Sequence, residues 1–162
     1  PPREYDMAHP TTPRVKALGL NLTAPNRPLA TYVNYVISQN QLFISGQIPL
    51  QDGKPTYIGR LGESISEDEG AKAAELAALG LLAQLSDALG DDLSRLVRII
   101  RLGVFIASSA DFQRQGAVAN GASNLLVNAL SDKGRHVRTA VGVASLPGGV
   151  AVEIDAIFEL QP

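Results

Sequence analysis

The chain has 162 residues, 45% hydrophobic and 19% charged, a composition suited to one globular domain with a real core. Its net charge is −2 and its densest basic run is RLVRIIR at 95–101, which argues against a nucleic-acid partner held by phosphate neutralisation. Cys is absent and only two His occur, His9 and His136, so disulfides, thiolate catalysis and Cys-ligated metals are excluded and a His-based metal site is not expected.

No stretch reaches the roughly 20 apolar residues of a membrane span, and no charged-then-apolar leader is seen. A cytoplasmic location without membrane contact is the expectation. The opening PPREYDMAHP lacks an initial Met; it is read as processed or appended and set aside. Residues 1–13, with four prolines, read as a loose arm, and RVKALGL at 14–20 as a short helix ended by Gly19. Prolines make 21–28 a loop. The expected organisation is an arm with a short helix over 1–28 and one domain over 29–162.

TYVNYVISQN at 31–40 and QLFISGQI at 41–48 fit a β-hairpin with QN at the turn. DGKP marks a further turn before a short strand. SEDEGAKAAELAALGLLAQLSDALG at 66–90 is the clearest helix. Ser66 and Glu69 form a capping box, Glu67 to Glu69 suit the helix dipole, and Gly90 ends it. LVRIIRLGVFIAS at 96–108 fits a buried strand. Residues 110–134 form a second helix with Asp111 as cap, and Gly116 and Gly121 predict a break or bend near 116–121. The order β-β-(β)-α-β-α-β-β predicts an α+β fold, one sheet with two helices on one face and another subunit covering the other.

The segment 134–160, GRHVRTAVGVASLPGGVAVEIDAIFEL, reads as a hairpin closed at LPGG. A tight turn there would pair Gly142 with Glu153 and Ala140 with Asp155. Arg138, Glu153 and Asp155 would then stand on the face away from the helices, over small residues. Arg138 and Glu153 would be about 13 Å apart along the ladder. A ligand or a neighbouring chain fits between them better than a direct ion pair does.

VRTAVGVASLPGGVAVEIDAI resembles the C-terminal signature of the YjgF/RidA family, and QLFISGQIPL at 41–50 resembles that family's Ser-Gly-Gln-Ile-Pro segment. The resemblance spans about residues 29–160. It implies a chorismate-mutase-like fold, a homotrimer with clefts between subunits, and no cofactor or metal. It also implies hydrolysis of reactive 2-imino and 2-enamino acids to 2-keto acids and ammonia. By the resemblance, Arg138 is the carboxylate-binding and catalytic arginine and Glu153 the glutamate beside the attacking water. Tyr32, Gly46 and Asn120 line the substrate cleft.

Three features depart from the family pattern. Ala140 replaces the cysteine two residues after the arginine, the segment 113–119 is longer, and the N-terminal extension is longer. Blander readings stand beside each residue. Arg138 could be an interface ion-pair partner, Glu153 a structural acid, and Asp155 a cross-trimer partner. Tyr35 competes with Tyr32, Gly46 fits a packing role, and Asn120 fits a helix break. His136 reads as a surface loop residue. Three functions follow: a 2-imino acid deaminase, a non-catalytic trimeric module binding small carboxylates, and a ribonuclease or translation inhibitor. The acidic balance disfavours the third.

Overall fold

Alternating burial builds the first strands. In the computed structural model, which describes residues 22, 25, 27, 28 and 30–162, β1 (Tyr35–Ser38) and β2 (Gln41–Gln47) pair antiparallel across a Gln39-Asn40 turn. Leu42 and Ile44 are buried while Phe43 stays exposed, the period of two expected of a strand. The first strand is shorter than the expected 31–40, so Tyr32 precedes it. The arm over 1–13 and the helix over 14–20 lie outside the described residues. The DG turn joins β3 (Leu50–Gln51) to β4 (Lys54–Pro55), with Asp52 and Gly53 both at positive φ.

Helix α1 (Glu67–Ala88) starts as its sequence dictates. Ser66 accepts from the Glu69 backbone N–H, and the Glu69 carboxylate accepts from the Ser66 backbone N–H at 3.1 Å. Its Ala and Leu residues, among them Ala73, Ala77, Leu81 and Leu85, are fully buried. Strand β5 (Leu96–Ala107) matches its expected span.

Helix α2 (Gln115–Leu130) begins later than expected and has no side-chain cap; Arg114, not Asp111, holds the cap position. It also runs unbroken through Gly116 and Gly121, against the expected bend. The reason is packing. A Cβ on Gly121 would overlap the backbone of α1, lying 2.8 Å from the Ala71 carbonyl carbon. The contact between the helices offsets the roughly 1 kcal/mol that glycine loses in helix propensity.

Strands β6 (Val137–Val143) and β7 (Val152–Leu160) do not form the expected hairpin. The sheet order is β1-β2-β7-β5-β6, so β5 lies between them, parallel to β6 and antiparallel to β7. LPGG is a turn, with Gly148 and Gly149 at positive φ, but it carries the chain past the end of β5. β5 is long and offers an edge to each side, with α2 as the crossover a parallel pair requires. The facing of Arg138 changes accordingly. Leu102 aligns with both Arg138 and Ala156, which puts Arg138 on the helix side of the sheet at its β6 edge. Phe105 aligns with Val141 and Glu153, and Gly103 with Thr139 and Asp155, so the acids stand on the opposite face. The expected common face for Arg138 and the two acids is therefore corrected.

The fold is α+β, a mixed five-stranded sheet with both helices on one face. The core between them is built from fully buried residues such as Leu42, Leu82, Leu102, Ile154 and Phe158. The other face carries Val36, Phe43 and Val141, exposed at 51%, 40% and 40%, with Phe105 and Ile157 beside them. Among the described residues no helix is long and apolar enough to cross a membrane.

Candidate active site

The Ser-Gly-Gln segment is a β-bulge. Between the pairs Ile44–Ala156 and Gln47–Ile154, β2 has one residue more than β7, and Ser45 and Gly46 occupy the irregular stretch. Ser45 Oγ donates to the Val33 carbonyl at 2.7 Å and Gln47 Nε2 to the Ser45 carbonyl at 3.0 Å, which fixes the bulge and the segment before β1. Gly46 lies against Glu153 so closely that a Cβ there would overlap the carboxylate, 2.9 Å from Cδ. Glycine is needed at this position for close approach rather than for its φ.

Glu153 opens into a cavity of about 440 Å³ together with Tyr32, Gly46, Gln47, Arg27 and Pro147. It is half-buried. Desolvation, and then the neighbouring negative charge of Asp155, push its carboxyl above the ordinary glutamate range. A carboxylate so placed is a better proton acceptor than a solvated one. Asp155 has an ion pair within the chain, 3.7 Å from Arg101 Nη1.

Arg138 opens into a second cavity, about 410 Å³, with Asn120, Ser123, His136 and Arg135. Its Nη1 donates to Asn120 Oδ1 at 2.8 Å and to Ser123 Oγ at 3.0 Å, and Nη2 donates to the Gly116 carbonyl at 3.1 Å. Three N–H groups are thus tied to α2. Nε–H and the second Nη2–H remain on the fork, a pair suited to a carboxylate. Gly116 sits under this guanidinium, where a Cβ would come 3.4 Å from Nη2. The longer 113–119 segment therefore reaches Arg138 directly.

The structure thus gathers the expected residues into two groups. Glu153, Tyr32 and Gly46 line one cavity, and Arg138 and Asn120 line the other, on opposite sides of the sheet. Sequence reasoning missed Ser123 and His136. Two signals were available: Ser123 is three residues after Asn120 on one helix face, and His136 is two residues before Arg138 along an extended chain. Arg27, placed in the arm by the sequence, also lines the Glu153 cavity.

Comparison with known proteins bears on the family and the fold. Residues 12–152 match the YjgF/chorismate mutase-like family, whose description also carries an endoribonuclease label. The chain is 46% identical over 148 residues to Protein TCP17 of Trypanosoma cruzi, covering 91% of this chain and 92% of that one. It superposes on the crystal structure of Atu1372 from Agrobacterium tumefaciens, a protein of unknown function, with a TM-score of 0.91 and 43% identity over 97% of this chain and 96% of that one. The structure of Escherichia coli TdcF with bound serine is more distant, with a TM-score of 0.61 and 26% identity over 84% and 92%.

Proposed function

We propose, from the premise that this chain belongs to the YjgF/chorismate mutase-like family, that it hydrolyses reactive 2-imino and 2-enamino acids to 2-keto acids and ammonia. The observation that carries this reading is the prepared guanidinium of Arg138, tied to α2 through three hydrogen bonds with two N–H groups left over. Those two grip the substrate carboxylate side by side. Glu153 accepts a proton from water as the water oxygen bonds to C2 and the C=N electron pair moves to nitrogen. The imine nitrogen, already protonated, becomes the neutral amine of a carbinolamine. Glu153 returns its proton to that amine, the C–N bond breaks as ammonia leaves, and the hydroxyl proton passes to the freed Glu153 carboxylate as the C=O bond forms. Tyr32 closes the wall of the cleft and Asn120 holds Arg138 in place.

Arg138 and Glu153 open on opposite faces of one chain, so a ligand touching both lies between copies. The apolar open face with Val36, Phe43 and Val141 supports a homotrimer as the complete unit. Serine bound to TdcF, a small carboxylate on a relative, also favours a second reading: a trimeric module that binds such metabolites without turning them over.

The test is keto-acid release from 2-iminopropionate and 2-iminobutyrate generated in situ. The wild type is expected to exceed the spontaneous rate, and Arg138→Ala and Glu153→Gln to lose the acceleration. A wild type no faster than the spontaneous reaction overturns the deaminase reading. If Glu153→Gln still binds pyruvate while the wild type turns nothing over, the binding module is the function.

A further inference from the structure

The proposed site needs Arg138 held in one orientation, and a second layer of residues provides the hold. The Gly134 carbonyl can only accept, so the histidine nitrogen facing it at 2.6 Å, Nδ1 of His136, carries the proton. In a neutral ring Nε2 is then an acceptor. It lies 2.9 Å from Ser123 Oγ, so the Ser123 hydroxyl donates its single proton to His136. That leaves the lone pairs of Oγ facing Arg138, whose Nη1 donates to it at 3.0 Å. Every link has one donor and one acceptor: the first fixes the tautomer, the tautomer fixes the second, and the last is donated by the guanidinium, which has no acceptor.

The ends of the relay are rigid. Gly134 is buried against α2, where a Cβ would come 2.8 Å from the Leu126 carbonyl carbon, so the carbonyl that fixes the histidine tautomer is itself fixed. Ser123 sits on α2 among buried neighbours, Ala119, Ala122 and Leu126. Burial also favours the uncharged ring of His136. Were Nε2 the protonated nitrogen of a neutral ring, Nδ1 would face the Gly134 carbonyl with a lone pair and the serine proton would have no partner in the relay.

We infer that His136 is a positioning residue: through Ser123 it fixes the Arg138 guanidinium in the orientation that receives a ligand carboxylate. The inference rests on the proposed role of Arg138 for its consequence, but the relay itself is measurable without a ligand.

The experiment uses the full chain labelled with ¹⁵N. Two-bond ¹H–¹⁵N correlations of the His136 ring are expected to report the neutral Nδ1–H tautomer. Resolved Nη proton signals of Arg138 are expected to collapse by rotational averaging in both Ser123→Ala and His136→Phe. Pyruvate affinity, measured by calorimetry, is expected to fall about ten-fold in each variant, the scale of one hydrogen bond to a charged group, and no further in the double variant. His136→Gln keeps an acceptor near the Nε2 position and should recover at least half of the loss.

An Nε2–H tautomer, or unchanged Arg138 signals in folded His136→Phe, overturns the inference. So do single-variant affinity losses that multiply in the double variant. Failure of the deaminase reading looks different: pyruvate binds and the relay behaves as stated, but no imine is hydrolysed. If the wild type binds no pyruvate, the carboxylate role of Arg138 falls, and the tautomer and Arg138 signals still decide the relay.

Discussion

Gly46→Ala puts the contact between the β2 bulge and Glu153 to a direct test. The new Cβ would sit 2.9 Å from Glu153 Cδ and 3.0 Å from Cγ and overlap the carboxylate. Glu153 must then leave its rotamer, at about 0.5–1.5 kcal/mol, or β2 must shift away from β7. Overpacking of this kind totals about 1–3 kcal/mol. At roughly 2–4 °C per kcal/mol for a chain of this size, the melting temperature should drop by about 2–12 °C. A displacement of the carboxylate by about 1 Å should lower imine hydrolysis on the order of a hundred-fold. Glu153→Ala removes the three atoms nearest the new methyl, Glu153 Oε1, Cδ and Cγ. In that background Gly46→Ala should therefore be nearly neutral, with a coupling energy about equal to its cost in the wild type. Equilibrium denaturation of the four proteins measures the cycle. If Gly46→Ala is as destabilising without the Glu153 carboxylate as with it, the steric argument is wrong.

Three further outcomes follow from the same geometry. Gly121→Ala places a methyl on the backbone of Ala71, which cannot rotate away, so denaturant unfolding should show a loss near the upper end of the about 1–3 kcal/mol overpacking range. Glu153 binds its proton more tightly folded than unfolded, so ionising it removes stability as pH rises from the ordinary glutamate range through its raised value. Glu153→Gln should flatten that part of the stability–pH curve, and wild-type hydrolysis should lose rate on acidification at a pH above that of an ordinary glutamate. Val141→Asp puts a charge on the apolar open face, and sedimentation should then report a smaller species than the wild type, with far-ultraviolet circular dichroism unchanged.

Local signals were legible in the sequence because their physics is local. The Ser66 capping box, the DG turn and the alternation of Val152, Ile154, Ala156 and Phe158 depend on neighbours a few residues away. The pairing of β6 and β7 does not. A turn at LPGG suits a hairpin, and only the competition of β5 for both strands decides against it. That competition reversed the facing of Arg138. Gly121 misled for a related reason: propensity reads it as a break, whereas the close approach of Ala71 makes it a contact. His136 was assigned to a surface loop because its partner Ser123 lies on another element, out of reach of any periodicity.

The division of the candidate site between two faces of the sheet has a genetic consequence. A chain lacking Arg138 keeps its Glu153 cavity intact, and a chain lacking Glu153 keeps its Arg138 cavity intact. If each cleft takes one group from each of two neighbours, the two inactive alleles rescue one another when co-expressed. Random mixing in equal amounts restores both groups in roughly a quarter of the clefts. The pair would thus behave as complementing alleles of one gene, and an unpaired loss-of-function allele would spoil its neighbours' clefts in any assembly it entered.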